Sequence, residues 1–381
     1  MDKRIKYITY YGDCDKDSLR CNSPAADNKT DYVIESLNKC GYSVDVISHS
    51  YISVKGLYFR SKVKIIGHNT FRYFGCFGKS KYKILNVLNR MYMDMGFFFW
   101  CFFNIRNREQ IIVYHSLGYD NVFIKLSKIK RITIIGEIEE VYQDVHKQTV
   151  VRSKNEFQFI DCCSKYIFPT SYLDGKLNHK HKPAIIIHGI YSVEHRRDVI
   201  PFDSGKIHVV YAGTLDTRKG GAAAAAAAAE YLPERFHIHI LGFGDKDQVS
   251  AILQTIKSVN TSSRAEVSYD GYLQGEEFIR FLQRCQIGLS TQDPTAVFNE
   301  TSFPSKILTY LSNGLMVVTV RIPAIENSAV GRSLFYYDEQ APESIAKAVI
   351  QCAETSVCID SSSLLDELDH DFVSALEKLL D

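Results

Sequence analysis

The sequence has no CxxC pair and no regular spacing among its ten cysteines, and Cys162 and Cys163 are direct neighbours. Ligands clustered at short spacings mark a zinc site, and none stands out, so no metal is expected. The pattern of a secretory signal is also missing, and the thiols read as reduced core residues of a cytoplasmic protein. Long hydrophobic runs are absent. The most apolar stretch, Met95–Phe103, is nine residues, about half of what a membrane-spanning helix needs. Net charge is nearly absent too, at +1, but its distribution is uneven. Between Tyr51 and Arg108 eleven Lys or Arg stand against a single acid, Asp94. Such a basic region in a neutral chain implies attraction to an anionic surface.

Hydrophobic residues at 45% and charged residues at 23% exclude wholesale disorder. A length of 381 residues exceeds one ordinary core and suits two domains. The first half opens with an apolar run, Ile5–Tyr10, then a helical segment, Thr30–Lys39, stopped by Gly41, then a second run, Ser43–Ser48. This order is the βαβ unit of a parallel sheet. Ile111–Tyr114, Ile132–Ile135, Tyr166–Pro169 and Ala184–Ile187 continue it as buried strands.

After Tyr191 the chain is polar and irregular through Asp203, the composition of a linker. The alternation then restarts, with strands expected at His208–Tyr211, His237–Leu241, Val267–Tyr269, Ile287–Ser290 and Met316–Val320. Helices are expected between them, including one through the eight alanines Ala222–Ala229 and on to Leu232. That run is either a close-packing surface or low-complexity drift. A last helix, Leu364–Leu380, carries apolar residues at Leu365, Leu368, Phe372, Leu376 and Leu379, a single buried face. The expected architecture is α/β, two Rossmann-like doubly wound domains facing each other across a cleft. Residues 1–190 form the acceptor side, 191–204 the linker, 205–360 the donor side and 361–381 a terminal helix.

Two motifs offer anion-binding chemistry. In Tyr211–Gly221 (YAGTLDTRKGG) a strand ends at Gly213, Arg218 and Lys219 follow on a loop, and a helix begins near Gly221. Glycines admit close approach of amides to an anion, and the helix start adds partial positive charge. Arg and Lys add a fork and a point charge, so a diphosphate is the natural guest; a solvated turn is the plain alternative. In Asn299–Gly314 (NETSFPSKILTYLSNG) Ser305 is placed to cap a helix carrying Lys306 in its first turn, after Pro304. Glu300 and Thr301 lie just upstream on the same loop, placed to hydrogen-bond sugar hydroxyls; an ordinary capped helix with a solvent-facing Lys is the plain alternative, and the favoured one for this motif taken alone. Both loops lie at strand ends of one domain, where doubly wound sheets bind ligands.

These residues resemble the group 1 glycosyltransferases, family 4, of the bacterial GT-B fold, most clearly from Tyr211 to Glu343. The resemblance implies that Arg218–Gly220, with Gly213 and Thr214, forms the donor diphosphate loop. It implies that Phe303–Gly314, with Ser305, Lys306 and Thr309, holds the donor's phosphates and ribose. Tyr272 and Leu273 are implied near the nucleotide base, beside the Leu241–Gly244 turn. His115 falls where related enzymes carry a histidine near the transferred sugar, and Glu137–Tyr142 resembles a subgroup acting on cell-surface polysaccharides. The sequence departs from the family where retaining members carry two glutamates eight positions apart: Thr301 and Thr309 stand there, with Glu300 adjacent. Thr214 also stands where an Arg is usual, and Arg218 is placed to replace its charge.

The implied activity is transfer of a hexose from a nucleotide-diphosphate sugar, with UDP the favoured nucleotide and retention expected ahead of inversion. No cofactor or metal is expected, because Arg218, Lys219 and Lys306 answer the leaving charge. His115 or a carboxylate among Glu137, Glu139 and Glu140 would orient or deprotonate the acceptor. A core histidine and a solvated acidic face are the alternatives. Among the carboxylates Glu137 is preferred, as the one directly after the strand, and Glu300 is the third catalytic candidate.

The basic region suits a lipid-linked or oligosaccharide acceptor in capsule, exopolysaccharide or lipopolysaccharide synthesis, with the enzyme peripheral on the inner face of the cell membrane. Phe97, Phe98, Phe99 and Trp100 would either enter that interface or pack in the core. Nucleic acid is not an expected partner, since no module for it is present. A silent nucleotide-sugar-binding or partner protein, and a nucleotide-sugar epimerase, remain as alternatives.

Overall fold

The computed structural model describes residues 3–12, 19–21, 23–52, 54–116, 118–141, 150–202, 205–216, 220–294, 303–356 and 360–381. The chain divides into two compact units. One comprises Met1–Ile187 with Asp371–Asp381, the other His188–His370.

The first unit runs β1 (Lys3–Thr9), α1 (Pro24–Lys39), β2 (Tyr42–Ser48), β3 (Tyr58–Phe59), β4 (Lys62–Ile66), β5 (Asn69–Tyr73) and β6 (Cys76–Phe77). It continues through α2 (Lys83–Asn104), β7 (Gln110–Tyr114), α3 (Asp120–Lys130), β8 (Thr133–Glu137), α4 (Val150–Cys162), β9 (Lys165–Phe168), α5 (Ser171–Leu177) and β10 (Ala184–Ile186). Its main sheet has the order β10-β9-β8-β7-β1-β2-β5-β4, parallel except for β4 against β5. The strands expected from apolar runs are all present, because runs such as Tyr7–Ile8 and Ile111–Val113 are buried on both faces. Gly41, at φ 80°, ends the first crossover helix, and its amide returns to the Asn38 carbonyl at 2.9 Å.

Three elements differ from expectation. Helix α1 begins at Pro24 instead of Thr30, because proline presets the first helical φ and two alanines extend the helix before its apolar face begins. The β4–β5 hairpin escaped notice because its outer strand, KVKII, is an exposed lysine-bearing edge. Helix α2 buries only Met93, Phe97 and Cys101, a stripe at steps of four. Neither of the two expectations for the aromatics holds for all of them: Phe97 is in the core, while Phe99 and Phe103 are exposed on the opposite face.

The second unit runs β11 (Ile207–Thr214), α6 (Gly221–Ala227), β12 (Phe236–Phe243), α7 (Lys246–Ser262), β13 (Glu266–Gly271), α8 (Gly275–Leu282) and β14 (Ile287–Ser290). Then follow α9 (Ser305–Ser312), β15 (Met316–Val320), α10 (Pro323–Glu326), β16 (Phe335–Tyr337), α11 (Pro342–Glu354) and α12 (Ser361–Leu380). The sheet order is β13-β12-β11-β14-β15-β16, all parallel, with the order reversing beside β11. The alanine helix is shorter than expected: it ends at Ala227 and tightens into a 3-10 turn, Ala228–Tyr231. Ala225, Ala226, Ala228 and Ala229 are fully buried.

The polar stretch after Tyr191 groups with the second unit. The Glu194 amide donates to the Ser312 carbonyl at 2.9 Å, and the Arg197 amide to Gln283 Oε1 at 2.7 Å. The second half of α12 belongs to the first unit, where Phe372 stacks on Tyr32 at 5.7 Å. The terminal helix does bury one face, with Leu365, Phe372, Leu376 and Leu379 inside.

Candidate functional site

In the second unit the strand order places the end of β11 against the start of α9. Tyr310, one turn into α9 and fully buried, accepts a hydrogen bond from the Ala212 amide at 2.8 Å and donates to the Leu289 carbonyl at 3.4 Å. That phenol locks the helix to β11 and β14 together. Gly288 makes room for it, since a Cβ there would stand 2.2 Å from Tyr310 Cγ. With α9 so held, the half-buried Lys306 lays its ammonium 4.1 Å from the Tyr211 ring centroid. A Cβ at Gly213 would sit 3.1 Å from Lys306 Nζ and 3.0 Å from Tyr211 Oη. Gly213 and Lys306, far apart in sequence, thus face each other at the carboxyl end of the sheet.

The neighbouring loop is held as closely. Leu215 N–H donates to the Phe243 carbonyl at 3.0 Å, and a Cβ at Gly242 would come within 2.0 Å of the Gly213 carbonyl oxygen. Thr291 Oγ1 donates to the Gly221 carbonyl at 2.6 Å, fastening the start of α6. Thr214 is exposed at the strand end. Arg218, Lys219, Glu300 and Thr301 lie outside the described residues.

Ser305 does not cap α9. Pro304 is the N-cap, Ser305 is the first helical residue, and among the described residues no side-chain cap bond is made there. Proline's preset φ draws the helix start one residue earlier than a serine cap requires. The Thr309 hydroxyl donates back to the Ser305 carbonyl at 3.2 Å. At the next strand ends Tyr272 is half exposed, with its ring edge-on to exposed Phe243 at 5.0 Å and its hydroxyl accepting from Gln274; Leu273 beside it is half-buried. Phe243, in the expected turn, was not singled out from sequence, and a lone Phe between two glycines carries no signal of its exposure.

In the first unit a second group assembles at the ends of β7 and β8. The His115 amide donates to the Glu137 carbonyl at 2.9 Å, and the Glu139 amide donates to His115 Nε2 at 3.0 Å. With Nε2 accepting, the neutral ring carries its proton on Nδ1. Burial pushes the imidazole down to about 3, with Lys29 adding to the effect, so His115 is uncharged at neutral pH. Its φ of 40° is left-handed, a costly conformation for a residue with a side chain.

Glu137 is fully buried. Tyr7 donates to its Oε2, and Oε1 has no hydrogen-bond partner among the described residues. Burial pushes this carboxyl up to about 7; Lys29 and the Tyr7 bond oppose the rise and Glu139 adds to it. Lys29, itself buried, pairs with Glu139 at 2.9 Å. The structure therefore brings His115, Glu137 and Glu139 into one network. It also places Glu137 away from solvent, hydrogen-bonded to Tyr7.

Comparison with known proteins adds the family. Residues 206–355 match the family described as Glycosyl transferases group 1. Among curated proteins no match is found. Solved structures similar over nearly the whole chain include sucrose-phosphate synthase from Thermosynechococcus elongatus, at TM-score 0.70 and 12% identity, covering 99% of this chain and 98% of that one. A UDP-forming trehalose-phosphate synthase from Burkholderia xenovorans gives 0.68 and 11%, covering 100% of both. HepE from Anabaena, in complex with UDP, gives 0.63 and 12%, covering 99% and 98%. Identities this low establish a shared fold and nothing finer. The chain is thus similar to the group 1 glycosyltransferases, matching their family over residues 206–355 and carrying the GT-B fold throughout.

Proposed function

We propose that the protein moves a hexose from a nucleotide-diphosphate sugar, UDP-linked, onto a lipid-linked acceptor in surface polysaccharide synthesis. The observation that carries the donor half is the meeting of Gly213 with Lys306 at the start of α9. A diphosphate seated there receives first-turn amides and an ammonium, and Gly213 offers no side chain against it. Cleavage of the anomeric C–O bond puts negative charge on that diphosphate, and Lys306, joined by Arg218 and Lys219, balances it without a metal. Glu300 and Thr301 address the sugar, Thr309 the ribose side, and Tyr272 with Leu273 the base. Retention is the favoured outcome. The UDP bound by HepE, similar in fold, supports the choice of nucleotide.

The acceptor half rests on α2. Opposite its buried stripe, Ile84, Val87, Met91, Met95, Phe99 and Phe103 form a second apolar stripe, all exposed. No helix among the described residues is long and apolar enough to cross a membrane. An exposed apolar stripe about 30 Å long, flanked by Lys79, Lys81 and Lys83, suits lying on an anionic lipid surface. Beside it an open pocket of about 330 Å³, lined by Tyr58, Phe74, Tyr92, Met93 and Phe99, offers apolar room for part of a lipid chain. In this reading the protein is peripheral on the inner face of the cell membrane, and neutral His115 orients the acceptor hydroxyl.

A second reading, a silent nucleotide-sugar-binding protein, is favoured by the threonines at 301 and 309. Thermal unfolding with UDP, GDP, ADP and dTDP, followed by UDP-sugar turnover with lipid and soluble acceptors, separates the two. Stabilisation by one nucleotide with turnover supports the transferase. Stabilisation without turnover on any acceptor supports the silent protein, and no stabilisation overturns the donor site.

A further inference from the structure

Away from the donor crevice, near the amino-terminal end of the second sheet, three histidines share one face. His208 on β11 is in register with His237 on β12, and His239 follows two residues later. A strand alternates its side chains, so His237 and His239 point the same way. We propose that His208, His237 and His239 form a binding site for a borderline transition-metal ion, with zinc the favoured occupant, that clamps β11 to β12.

Each of the three offers a ligand nitrogen, and the three nitrogens lie within 4.8 Å of one another. His208 Nδ1 and His239 Nε2 are 2.9 Å apart. Two nitrogens bound to one zinc at about 2.05 Å in tetrahedral geometry stand roughly 3.3 Å apart, so binding widens the pair by a few tenths of an ångström and turns the stacked rings until their lone pairs converge on the ion. The outer contacts are those a metal-binding histidine takes. His239 Nδ1 donates to Asp270 Oδ2 at 3.1 Å, which leaves Nε2 as its lone-pair nitrogen, turned toward His208. Ser268 Oγ donates to the same carboxylate at 2.8 Å and lies 2.9 Å from His237 Nε2. In the absence of an ion, His208 Nδ1–H donates to His239. Coordination moves that proton to His208 Nε2, a tautomer change without change of charge.

Aromatic rings cover two of the three histidines. His208 and His239 are buried, and Phe202 stacks over both at 4.3 and 4.8 Å. Phe281 meets His239 edge-on at 5.2 Å. A hydrogen-bond chain from Asp270 through His239 to His208 accounts for two imidazoles. The third, His237, stacks at 4.0 Å on His239, with Nε2 2.9 Å from Ser268 Oγ and Nδ1 3.6 Å from Glu266 Oε2. Imidazole donors with an open fourth position suit zinc, cobalt or nickel over magnesium or calcium. His208 precedes Gly213 by five residues, roughly 16 Å of strand, so the ion is structural and takes no part in donor chemistry.

The test uses the full-length protein, stripped with a chelator and titrated with Zn²⁺ and Co²⁺. One equivalent is expected to bind, with cobalt showing the intense visible absorption of tetrahedral coordination and zinc raising the unfolding temperature. Asp270→Asn is expected to weaken binding by roughly 10–100-fold. His208→Gln and His237→Gln are each expected to abolish the cobalt spectrum. Should His208→Gln fail to fold, His237→Gln, whose side chain is partly exposed, decides. Absence of a bound equivalent, or binding that His237→Gln leaves unchanged, overturns the proposal. The UDP-induced shift, read on the same stripped protein, does not depend on the ion and reports separately on the donor site.

Discussion

The Tyr7 phenol on β1 donates to Oε2 of Glu137 at the end of β8, two strands away and fully buried. Burial holds the Glu137 carboxyl near 7 in the folded protein, against 4.5 for an ordinary glutamate. Between about pH 4.5 and 7 the folded state keeps a proton that the unfolded chain has released. Stability therefore falls as pH rises through that window, by roughly 3 kcal/mol, and levels off above it. Glu137→Gln is expected to remove this fall and to match or exceed the wild type in thermal midpoint at pH 8. Superimposable pH profiles for the two proteins would count against the assignment.

Lys306→Ala is expected to weaken binding of the stabilising nucleotide diphosphate by about 10–100-fold, the worth of a charge-assisted contact. Lys306→Arg keeps the charge but not the fit over the Tyr211 ring, and is expected to recover part of the loss. Titration by thermal shift or calorimetry measures both. Wild-type affinity in Lys306→Ala would remove this residue from the donor site.

Gly242→Ala is expected to cost about 1–3 kcal/mol of stability and to weaken nucleotide binding as well. The added methyl meets a backbone carbonyl, that of Gly213 at 2.0 Å, which cannot swing aside as a side chain would. Gly41→Ala offers the contrast: nothing lies within 4 Å of its Cβ, yet φ is 80°. Its cost, about 1 kcal/mol, is conformational, and nucleotide binding is expected to be unchanged. Denaturation and thermal-shift titration on both variants check the distinction.

Replacing Lys79, Lys81 and Lys83 together by Gln is expected to lower partition onto anionic vesicles by about 3 kcal/mol, roughly a hundredfold, at low salt. Phe99→Ser with Phe103→Ser is expected to lower it further and independently of salt. Neutral vesicles are expected to bind weakly in every case. Flotation with fluorescent vesicles measures this, and equal partition of wild type and triple variant would sink the membrane reading of α2.

Much of the fold was legible because burial on both faces leaves strands such as Ile111–Tyr114 no polar positions to blur the pattern. Gly41 and the spacing of Leu365, Phe372, Leu376 and Leu379 are equally local signals. The placement of helix α2 was not legible, since apolar residues cover its exposed face as well as its buried stripe and do not tell which one packs inward. The histidine cluster was missed for a related reason. His237-x-His239 on a strand was the available signal, but a search for short spacings between ligands never pairs it with His208 on the neighbouring strand.

The sequence by itself determined the alternation of strands and helices, the division into two units and the glycine and lysine content of the loops at Gly213 and Lys306, because propensity, burial pattern and charge are properties of neighbouring residues. Only the tertiary structure decided which distant residues meet. Parallel pairing of β11 with both β12 and β14 brings Lys306 to Gly213 and His239 to His208. In the first unit, the strand order that sets β1 two strands from β8 leaves Glu137 buried on Tyr7, and packing turns one stripe of α2 inward and the other out. Strand order is chosen by the packing free energy of the whole sheet, which no single segment carries.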